Sequence, residues 1–149
     1  MADEFKKIVD FKNVSGIEAH IASQGEPTLY SDLVRLVARI KQISNVSIIS
    51  IDTNGTLLTT SRIDDLIKAG LTRINLSINA IGENSAKKIA NVSQGYNIKK
   101  VLDIAKYVAD KIELIIAPVF VPGFNDSELN KIVDFTKSLK NKKFEPKCC

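Results

Sequence analysis

Two hydrophobic periodicities alternate along this chain, and their alternation restricts the fold more than any single motif does. Short runs rich in Ile and Val are separated by longer segments whose apolar residues recur at helical spacing. The run 46–51 is nearly apolar on both faces, which is typical of parallel strands covered by helices. We therefore predict strands at four places, which are residues 16–22, 46–51, 73–78 and 112–120.

Amphipathic segments between these strands predict helices. We place them at 31–43 with Ser31 as N-cap, at 61–69 before Gly70, at 97–109 and at 127–139, with another helix ending near residue 11. Helices and strands therefore alternate in the βαβ rhythm of a parallel sheet. Their order is α-β-α-β-α-β-α-α-β-α, followed by a strand beginning near Phe144. It predicts one α/β domain over 1–149, either doubly wound or part of a (β/α) barrel. Because the predicted order begins with a helix and ends with a strand, we expect either a chain cut at both ends or a first strand that lies elsewhere.

Composition and charge exclude several classes of protein. The 21 basic residues exceed the 17 acidic ones by only four, and 17 of the basic residues are Lys, so a nucleic-acid partner is not indicated. No apolar stretch approaches the length of a membrane-spanning helix and no signal peptide opens the chain, which predicts a cytoplasmic protein. The cysteines Cys148 and Cys149 are adjacent and terminal, which predicts neither a disulfide framework nor a metal site.

Small and polar residues follow each predicted strand. In parallel α/β folds, the binding site lies at the carboxyl ends of the strands. Each loop alone is explained by an ordinary turn, but four such loops at one edge favour a binding site. The loops are Ser-Gln-Gly-Glu-Pro-Thr at 23–28, Asp-Thr-Asn-Gly-Thr at 52–56, Ser-Ile-Asn-Ala at 77–80 and the segment from Pro118 to Asp126.

Three titratable residues are candidates for chemistry at this edge. Glu26, between Gly25 and Pro27, suits a cationic ligand group, and Gly25 lets a ligand approach the backbone closely. His20 reads as a packed or barrel-lining histidine, with a general base as the alternative. Asp52 is the best second carboxylate, with a helix-side or loop aspartate as the alternative. The chain has no dinucleotide, Walker or nucleophile-elbow motif, and a single histidine argues against a Ser-His-Asp triad.

Four short motifs follow one another in the sequence. They are Gly-Glu-Pro-Thr-Leu at 25–29, Thr-Asn-Gly-Thr-Leu-Leu at 53–58, Gly-Leu-Thr-Arg-Ile-Asn-Leu-Ser-Ile-Asn at 70–79 and Pro-Gly-Phe-Asn-Asp-Ser-Glu at 122–128. Taken in this order they resemble the radical S-adenosylmethionine (SAM) superfamily, and Glu18-Ala19-His20 before the first motif is similar to an archaeal branch. The resemblance covers most of the chain, from about residue 16 to 135.

The resemblance implies a partial (β/α) barrel that binds SAM at its strand ends. The loop of Gly25, Glu26 and Pro27 would meet the methionyl amino group. The pocket would be lined further by Thr53 and Asn54, by Ser77 and Asn79 near the methionine carboxylate or ribose, and by Pro118 and Val119 beside the adenine. In such enzymes a [4Fe–4S] cluster cleaves SAM to a 5′-deoxyadenosyl radical.

One part of the family pattern is missing from these residues. The cluster is held by a Cys-x-x-x-Cys-x-x-Cys loop, which this sequence does not contain and which would lie before Met1. We therefore expect a core truncated before its first strand, with SAM as its small-molecule ligand, the cluster only in the full-length parent, and no catalytic residue of its own. Gln24 also stands where the family usually has glycine.

Three functional hypotheses remain, and none names a substrate. The first is an inactive fragment of a radical SAM enzyme, and the second is a non-catalytic SAM-binding or partner module that has lost the cluster. The third is an unrelated α/β-barrel lyase or phosphate-binding enzyme. A core that lacks its first strand would expose a sheet edge, which favours pairing with another copy.

Overall fold

The computed structural model describes residues 1–92 and 95–148, and it forms a parallel sheet with flanking helices. In these ranges, none of the helices has both the length and the apolar character needed to cross a membrane. The helices are α1 Ala2–Lys12, α2 Leu33–Lys41, α3 Thr60–Ala69, α4 Glu83–Ile89, α5 Ile98–Ala109 and α6 Asp126–Lys137, with a 3₁₀ turn at Pro27–Leu29. The strands are β1 Ile17–Ile21, β2 Val46–Thr53, β3 Arg73–Leu76, β4 Glu113–Ile116, β5 Val119–Phe120, β6 Lys142–Phe144 and β7 Lys147–Cys148.

The main sheet has five parallel strands in the order β1-β2-β3-β4-β6. The first four are neighbours in chain order, as the βαβ rhythm predicts. Strands β5 and β7 form a separate parallel pair. Every carboxyl end of the main sheet therefore lies at one edge, which is where the four polar loops were expected to meet.

Side chains alternate between two chemically different faces of the sheet. One face packs into the core, and each of its main residues is at most 1% exposed. These residues are Ile49, Ile51, Ile74, Leu76, Leu114 and Ile116. The other face, called the polar face below, carries Glu18, His20, Ser50, Asp52, Arg73, Asn75 and Glu113. Burial of the apolar set under the helices fixes the register, because a slip of one residue would exchange the two faces.

The predicted strand 112–120 is wrong as a single element. It divides into β4 and β5, because Pro118 has no N–H to donate to a neighbouring strand. The Ala117 N–H still donates to the Leu76 carbonyl at 3.0 Å, and the next available donor, Val119 N–H, goes to the Asn79 side chain at 2.9 Å. The chain therefore bends at the carboxyl edge of the sheet.

Several boundaries also differ from the sequence analysis. Ser31 is not the N-cap of α2, because a turn at 31–32 places Asp32 there, without a side-chain capping bond. Phe144 ends β6 instead of beginning a strand. Gly70 does terminate α3, with a left-handed φ of 116°. Cys148 ends β7, and Cys149 lies outside the described residues.

Gly55 offers a test of the packing behind the second strand end. Its φ is +74°, and a Cβ there would lie 2.7 Å from Leu76 Cδ1 and 3.4 Å from Val101 Cγ1. We expect Gly55→Ala to lower the free energy of unfolding by about 2–3 kcal/mol, from left-handed strain and overpacking together. The matched control is Gly16→Ala, which has the same φ but no neighbour within 4 Å, and should lose only about 1 kcal/mol. Equal losses in chemical denaturation would refute the packing component.

Candidate functional site

Glu26 joins the ends of the first two strands through its carboxylate. Oε1 accepts hydrogen bonds from Thr28 N–H at 3.1 Å, Thr28 Oγ1 at 2.5 Å and Thr53 Oγ1 at 2.6 Å. Oε2 accepts from Asn54 N–H at 2.8 Å. Three of these four bonds fall on Oε1 and only one on Oε2, so Oε2 keeps room for a further donor. Glu26 is half-buried and holds the loop in place, in addition to placing a negative charge at the edge.

Thr53 and Asn54 form a tight connection after β2. Thr53 is 3% exposed, and its hydroxyl accepts the Gly55 N–H at 3.0 Å while donating to Glu26. Asn54 is exposed, and its amide oxygen accepts from Thr56 N–H at 2.9 Å and Thr56 Oγ1 at 2.7 Å. This turn exposes the Asn54 side chain beside the Glu26 carboxylate.

The ends of β3 and β4 are joined by two asparagines. Asn79 accepts the Val119 N–H through Oδ1 at 2.9 Å. Asn125 is fully buried and donates from Nδ2 to Asn79 O at 3.1 Å and Val119 O at 2.8 Å, while Oδ1 accepts Val121 N–H at 2.8 Å. Both main-chain polar groups of Val119 are therefore used inside the chain, and the residue presents its half-buried side chain.

The sequence-predicted site residues all lie at this carboxyl edge. Hydrogen bonds link the first strand end to the second through Glu26 and Thr53, and the second to the third through Ser77 N–H, which donates to Thr53 O at 2.9 Å. Asn79, Val119 and the buried Pro118 form the next part of the same edge. Gly25 and the exposed Asn54 are the residues most open to solvent.

Sequence reasoning missed two buried residues that support this edge. Thr28 is 1% exposed and binds Glu26, and Asn125 holds the bend at Val119. Their signal was present but weak, since a Thr two residues after an acidic N-cap and an Asn before a helix are both common turn residues. Their role becomes visible only in the structure, where Thr28 holds the Glu26 carboxylate and Asn125 also donates to the distant Asn79 carbonyl.

Glu128 on α6 is a third missed residue, and it anchors α4. The residue is only 2% exposed. Its carboxylate accepts hydrogen bonds from Ile81 N–H at 2.8 Å, Gly82 N–H at 2.9 Å, Ser85 Oγ at 3.2 Å and Lys131 Nζ at 2.8 Å. Burial raises the pKa of this carboxyl, but the hydrogen bonds from Gly82, Lys131 and Ile81 outweigh it and hold the pKa at about 2. The buried charge is compensated by these donors.

His20 and Asp52 meet on the polar face, below the strand-end loops. His20 Nε2 lies 3.2 Å from Asp52 Oδ2, and His20 Nδ1 lies 2.7 Å from Ser50 Oγ. The His20 side chain is 40% exposed and that of Asp52 28%, so His20 lines the sheet face and Asp52 is neither helix-side nor in a loop. Asn75 Nδ2 donates to Asp52 Oδ1 at 2.8 Å.

Beyond this pair, ion pairs cross the polar face toward the amino ends of the strands. Arg73 donates to Glu18 and, at 3.4 Å, to Glu113, which also pairs with Lys143 at 2.6 Å. The Arg73 hydrogen bond lowers the pKa of Glu18, with a further contribution from Ser50, and the Lys143 hydrogen bond lowers the pKa of Glu113. Both carboxylates are therefore ionised at neutral pH.

The residues present do not fit an iron–sulfur cluster. Such a cluster is held mainly by cysteine thiolates at several spaced positions, and this sequence has two cysteines, which are adjacent. Within residues 1–92 and 95–148, no three His, Cys, Asp or Glu side chains gather as a metal-binding group. The carboxyl edge instead offers hydroxyl, amide and main-chain groups, which suit a polar organic ligand.

Comparison with known proteins assigns a family to this arrangement. A family model described as the radical SAM superfamily matches residues 2–136. An uncharacterized protein of Methanocaldococcus jannaschii is 47% identical over 145 residues, which are 95% of this chain and 33% of that protein. A GTP 3′,8-cyclase of Lactiplantibacillus plantarum is 34% identical over 139 residues, which are 91% of this chain and 40% of that enzyme. The chain thus spans about a third to two fifths of these relatives.

A solved structure shares the fold. Streptococcus suis SuiB, in a crystal structure with bound S-adenosylmethionine, superposes with a TM-score of 0.76 at 21% identity, over 99% of this chain and 33% of that one. The parallel sheet described above is thus a partial (β/α) barrel of the kind found in this family, as the sequence predicts. At this identity the likeness concerns the fold alone.

Proposed function

This chain belongs to the radical SAM superfamily, and from that premise we propose that its carboxyl edge binds S-adenosylmethionine. Glu26 and the main chain at Gly25 and Pro27 would receive the methionyl amino group. The other residues of the proposed pocket are Thr53 and Asn54 at the second strand end, Ser77 and Asn79 toward the carboxylate or ribose, and Pro118 and Val119 beside the adenine. Because both main-chain polar groups of Val119 are already bonded, its contribution to adenine binding would be apolar contact.

The observation that carries this proposal is the open approach to Gly25 beside an ionisable carboxylate. A Cβ at Gly25 would have no neighbour within 4 Å, and its φ is not in the left-handed region. Neither packing nor backbone strain therefore requires glycine here. The open space beside the main chain would let a ligand approach it closely, and the adjacent Glu26 would supply the negative charge that an ammonium group needs.

We further propose that the residues 1–149 form a single incomplete core of a larger enzyme. When bound by a complete enzyme of this family, the [4Fe–4S] cluster supplies the electron that cleaves SAM. The two adjacent cysteines of this chain do not fit the cluster, so a Cys-x-x-x-Cys-x-x-Cys loop of the parent protein would have to hold it, and these residues by themselves would be inactive. What they would provide is orientation of SAM. Among the described residues, β1 stands at the end of the strand order, with β2 as its partner strand.

Gly25→Ala tests the proposed pocket. The variant should fold as stably as the wild type because the added methyl meets open space, yet it should bind SAM about tenfold more weakly, a change of about 1.4 kcal/mol. Calorimetric titration to millimolar SAM measures the affinity, and thermal melts measure the stability. Unchanged affinity in a well-folded Gly25→Ala would contradict the proposed approach of SAM to this loop.

A further inference from the structure

Helix α1 carries an apolar stripe that the rest of the described chain leaves largely uncovered. Phe5, Ile8 and Phe11 recur every three residues, which places them along one side of the helix. Phe5 is half-buried, but Ile8 is 54% exposed and Phe11 is 91% exposed. Val14, just beyond the helix, is also exposed. Large apolar side chains grouped in this way at a surface are typical of a contact with another molecule.

Contacts on another side of α1 fix the helix, so the stripe cannot turn inward. Ala2 and Val9 are buried in the hydrophobic core. Arg39 Nη2 on α2 donates to the two carboxylate oxygens of Asp3, at 2.6 and 2.8 Å. The exposure of Phe11 is therefore a property of a helix that is already docked.

The residues around Ile8 are arranged in a self-complementary way. Glu4 precedes Ile8 by four residues and Lys12 follows it by four, so all three share this side of the helix, and both charged residues are exposed. Phe5 and Phe11 stand three residues before and after Ile8. If two copies of α1 pack antiparallel with Ile8 at the centre, Glu4 of each copy meets Lys12 of the other. In the same arrangement, Phe5 of each copy lies opposite Phe11 of the other.

We propose that this stripe is a dimer interface, in which a second copy of the chain packs its α1 antiparallel across the first, with the two-fold axis beside Ile8. A second copy fits because the apolar and charged residues of the stripe find their complements in the same stripe reversed, and each contact forms twice. Glu4 also pairs with the Met1 amino group of its own helix. Its side chain is still 71% exposed, so the carboxylate can accept a further donor from Lys12 of the second copy.

A groove beside Phe5 offers space for the Phe11 ring of the second copy. It has a volume of about 200 Å³ and lies between α1, β1 and α2, where its apolar lining includes Phe5, Ala19 and Leu36. Phe11 of the second copy, opposite Phe5, can fill this groove. Because each copy supplies one ring and one groove, the contact is complete in a dimer and does not propagate into a filament.

The interface is small and lies away from the proposed SAM pocket. A contact built mainly on one short helix of each copy falls below the roughly 1,000 Å² of a stable interface, so we expect a dissociation constant of about 10 µM to 1 mM. Helix α1 ends at Lys12 and β1 begins at Ile17, which places Phe11 toward the amino ends of the strands. The inference is therefore independent of the proposed function.

Sedimentation equilibrium of the chain under reducing conditions is the first test. From about 10 µM to 1 mM it should show a monomer–dimer equilibrium, which Phe11→Ser weakens at least tenfold because two rings lose their contact. The thermal melt should stay unchanged, since the ring is exposed in the monomer. Phe124→Ser, at another exposed phenylalanine, is the matched control and should leave the association unchanged. A monomer at 1 mM, or an equal effect of the two substitutions, would refute the interface.

Disulfide formation tests the antiparallel register. In a Cys148→Ser/Cys149→Ser background, Ile8→Cys places one thiol of each copy beside the two-fold axis. Asp10→Cys is the control, because this exposed position lies about 200° around the helix from Ile8. A disulfide needs Cα atoms within about 7 Å, so mild oxidation should link Ile8→Cys chains at least tenfold faster than Asp10→Cys chains. Equal rates, or faster linkage through position 10, would contradict the register and assign any pairing to another surface, such as the edge strand β1.

Discussion

Replacing Glu128 with alanine is expected to lower the free energy of unfolding by about 3–5 kcal/mol, the largest loss among the substitutions considered. The carboxylate is buried and serves the Ile81 and Gly82 N–H groups, Ser85 and Lys131 at once. Alanine leaves the two main-chain donors without a partner at the start of α4 and opens a cavity. Urea denaturation measures the loss, and Asp134→Asn on the exposed face of α6 is the matched control, with an expected change under about 0.5 kcal/mol.

Glu128 should also make the free energy of unfolding depend on pH in the acidic range. Its pKa of about 2 in the folded chain lies below the ordinary 4.5, so its contribution is fully present above about pH 5. That contribution, about 3 kcal/mol, is lost as pH falls from there through 2. Glu128→Gln cannot titrate, so its unfolding free energy should fall less steeply over the same range. Parallel pH profiles for the wild type and Glu128→Gln would contradict the depressed pKa.

Glu26→Gln is expected to weaken SAM binding by about ten- to a hundredfold, since it removes the charge that meets an ammonium group. The substitution should also affect folding, because the Glu26 carboxylate accepts four hydrogen bonds within the chain. The Gln amide nitrogen is a donor, and it would face Asn54 N–H or the hydroxyls of Thr28 and Thr53. We therefore also expect about 1–3 kcal/mol of destabilisation.

The control for Glu26 keeps the charge and removes one of its hydrogen-bond donors. Thr28→Val deletes a hydroxyl that donates to Glu26 Oε1 and leaves the carboxylate ionised. It should lower stability by a similar amount but reduce SAM affinity much less. Equal SAM affinity in wild type and folded Glu26→Gln would show that the charge is not used. Equal losses in Glu26→Gln and Thr28→Val would assign Glu26 to positioning alone.

The parallel order of the sheet was predictable because it follows from patterns within short stretches of sequence. The Ile/Val runs of β2 and β4 are mostly apolar, which is typical of strands covered by helices, and connections of helical length between them favour parallel neighbours. The break at Pro118 was also visible in the sequence, since proline cannot donate to a strand neighbour. It was missed because the apolar run continues through it to Phe120.

The partners of site residues depend on contacts between distant strands, which no local pattern reports. The sequence predicts Glu26 as a carboxylate for a cationic ligand, but nothing near it in sequence reveals that Thr53 and Asn54 approach it. In the same way, no local pattern indicates that Arg73 on β3 joins Glu18 on β1 to Glu113 on β4. The positions of such residues follow from strand order, but their hydrogen bonds follow only from register.

The most direct test of SAM binding at the carboxyl edge is an NMR titration of the ¹⁵N-labelled chain with SAM. Weak binding in the millimolar range remains visible by this method, so the test does not depend on the cluster. We expect amide signals to shift at the strand-end loops, near Gly25, Asn54, Ser77 and Val119, and to stay unchanged at the opposite edge, near Asn45 and Thr72. Shifts confined to the opposite edge, or no shifts at several millimolar SAM, would contradict the account.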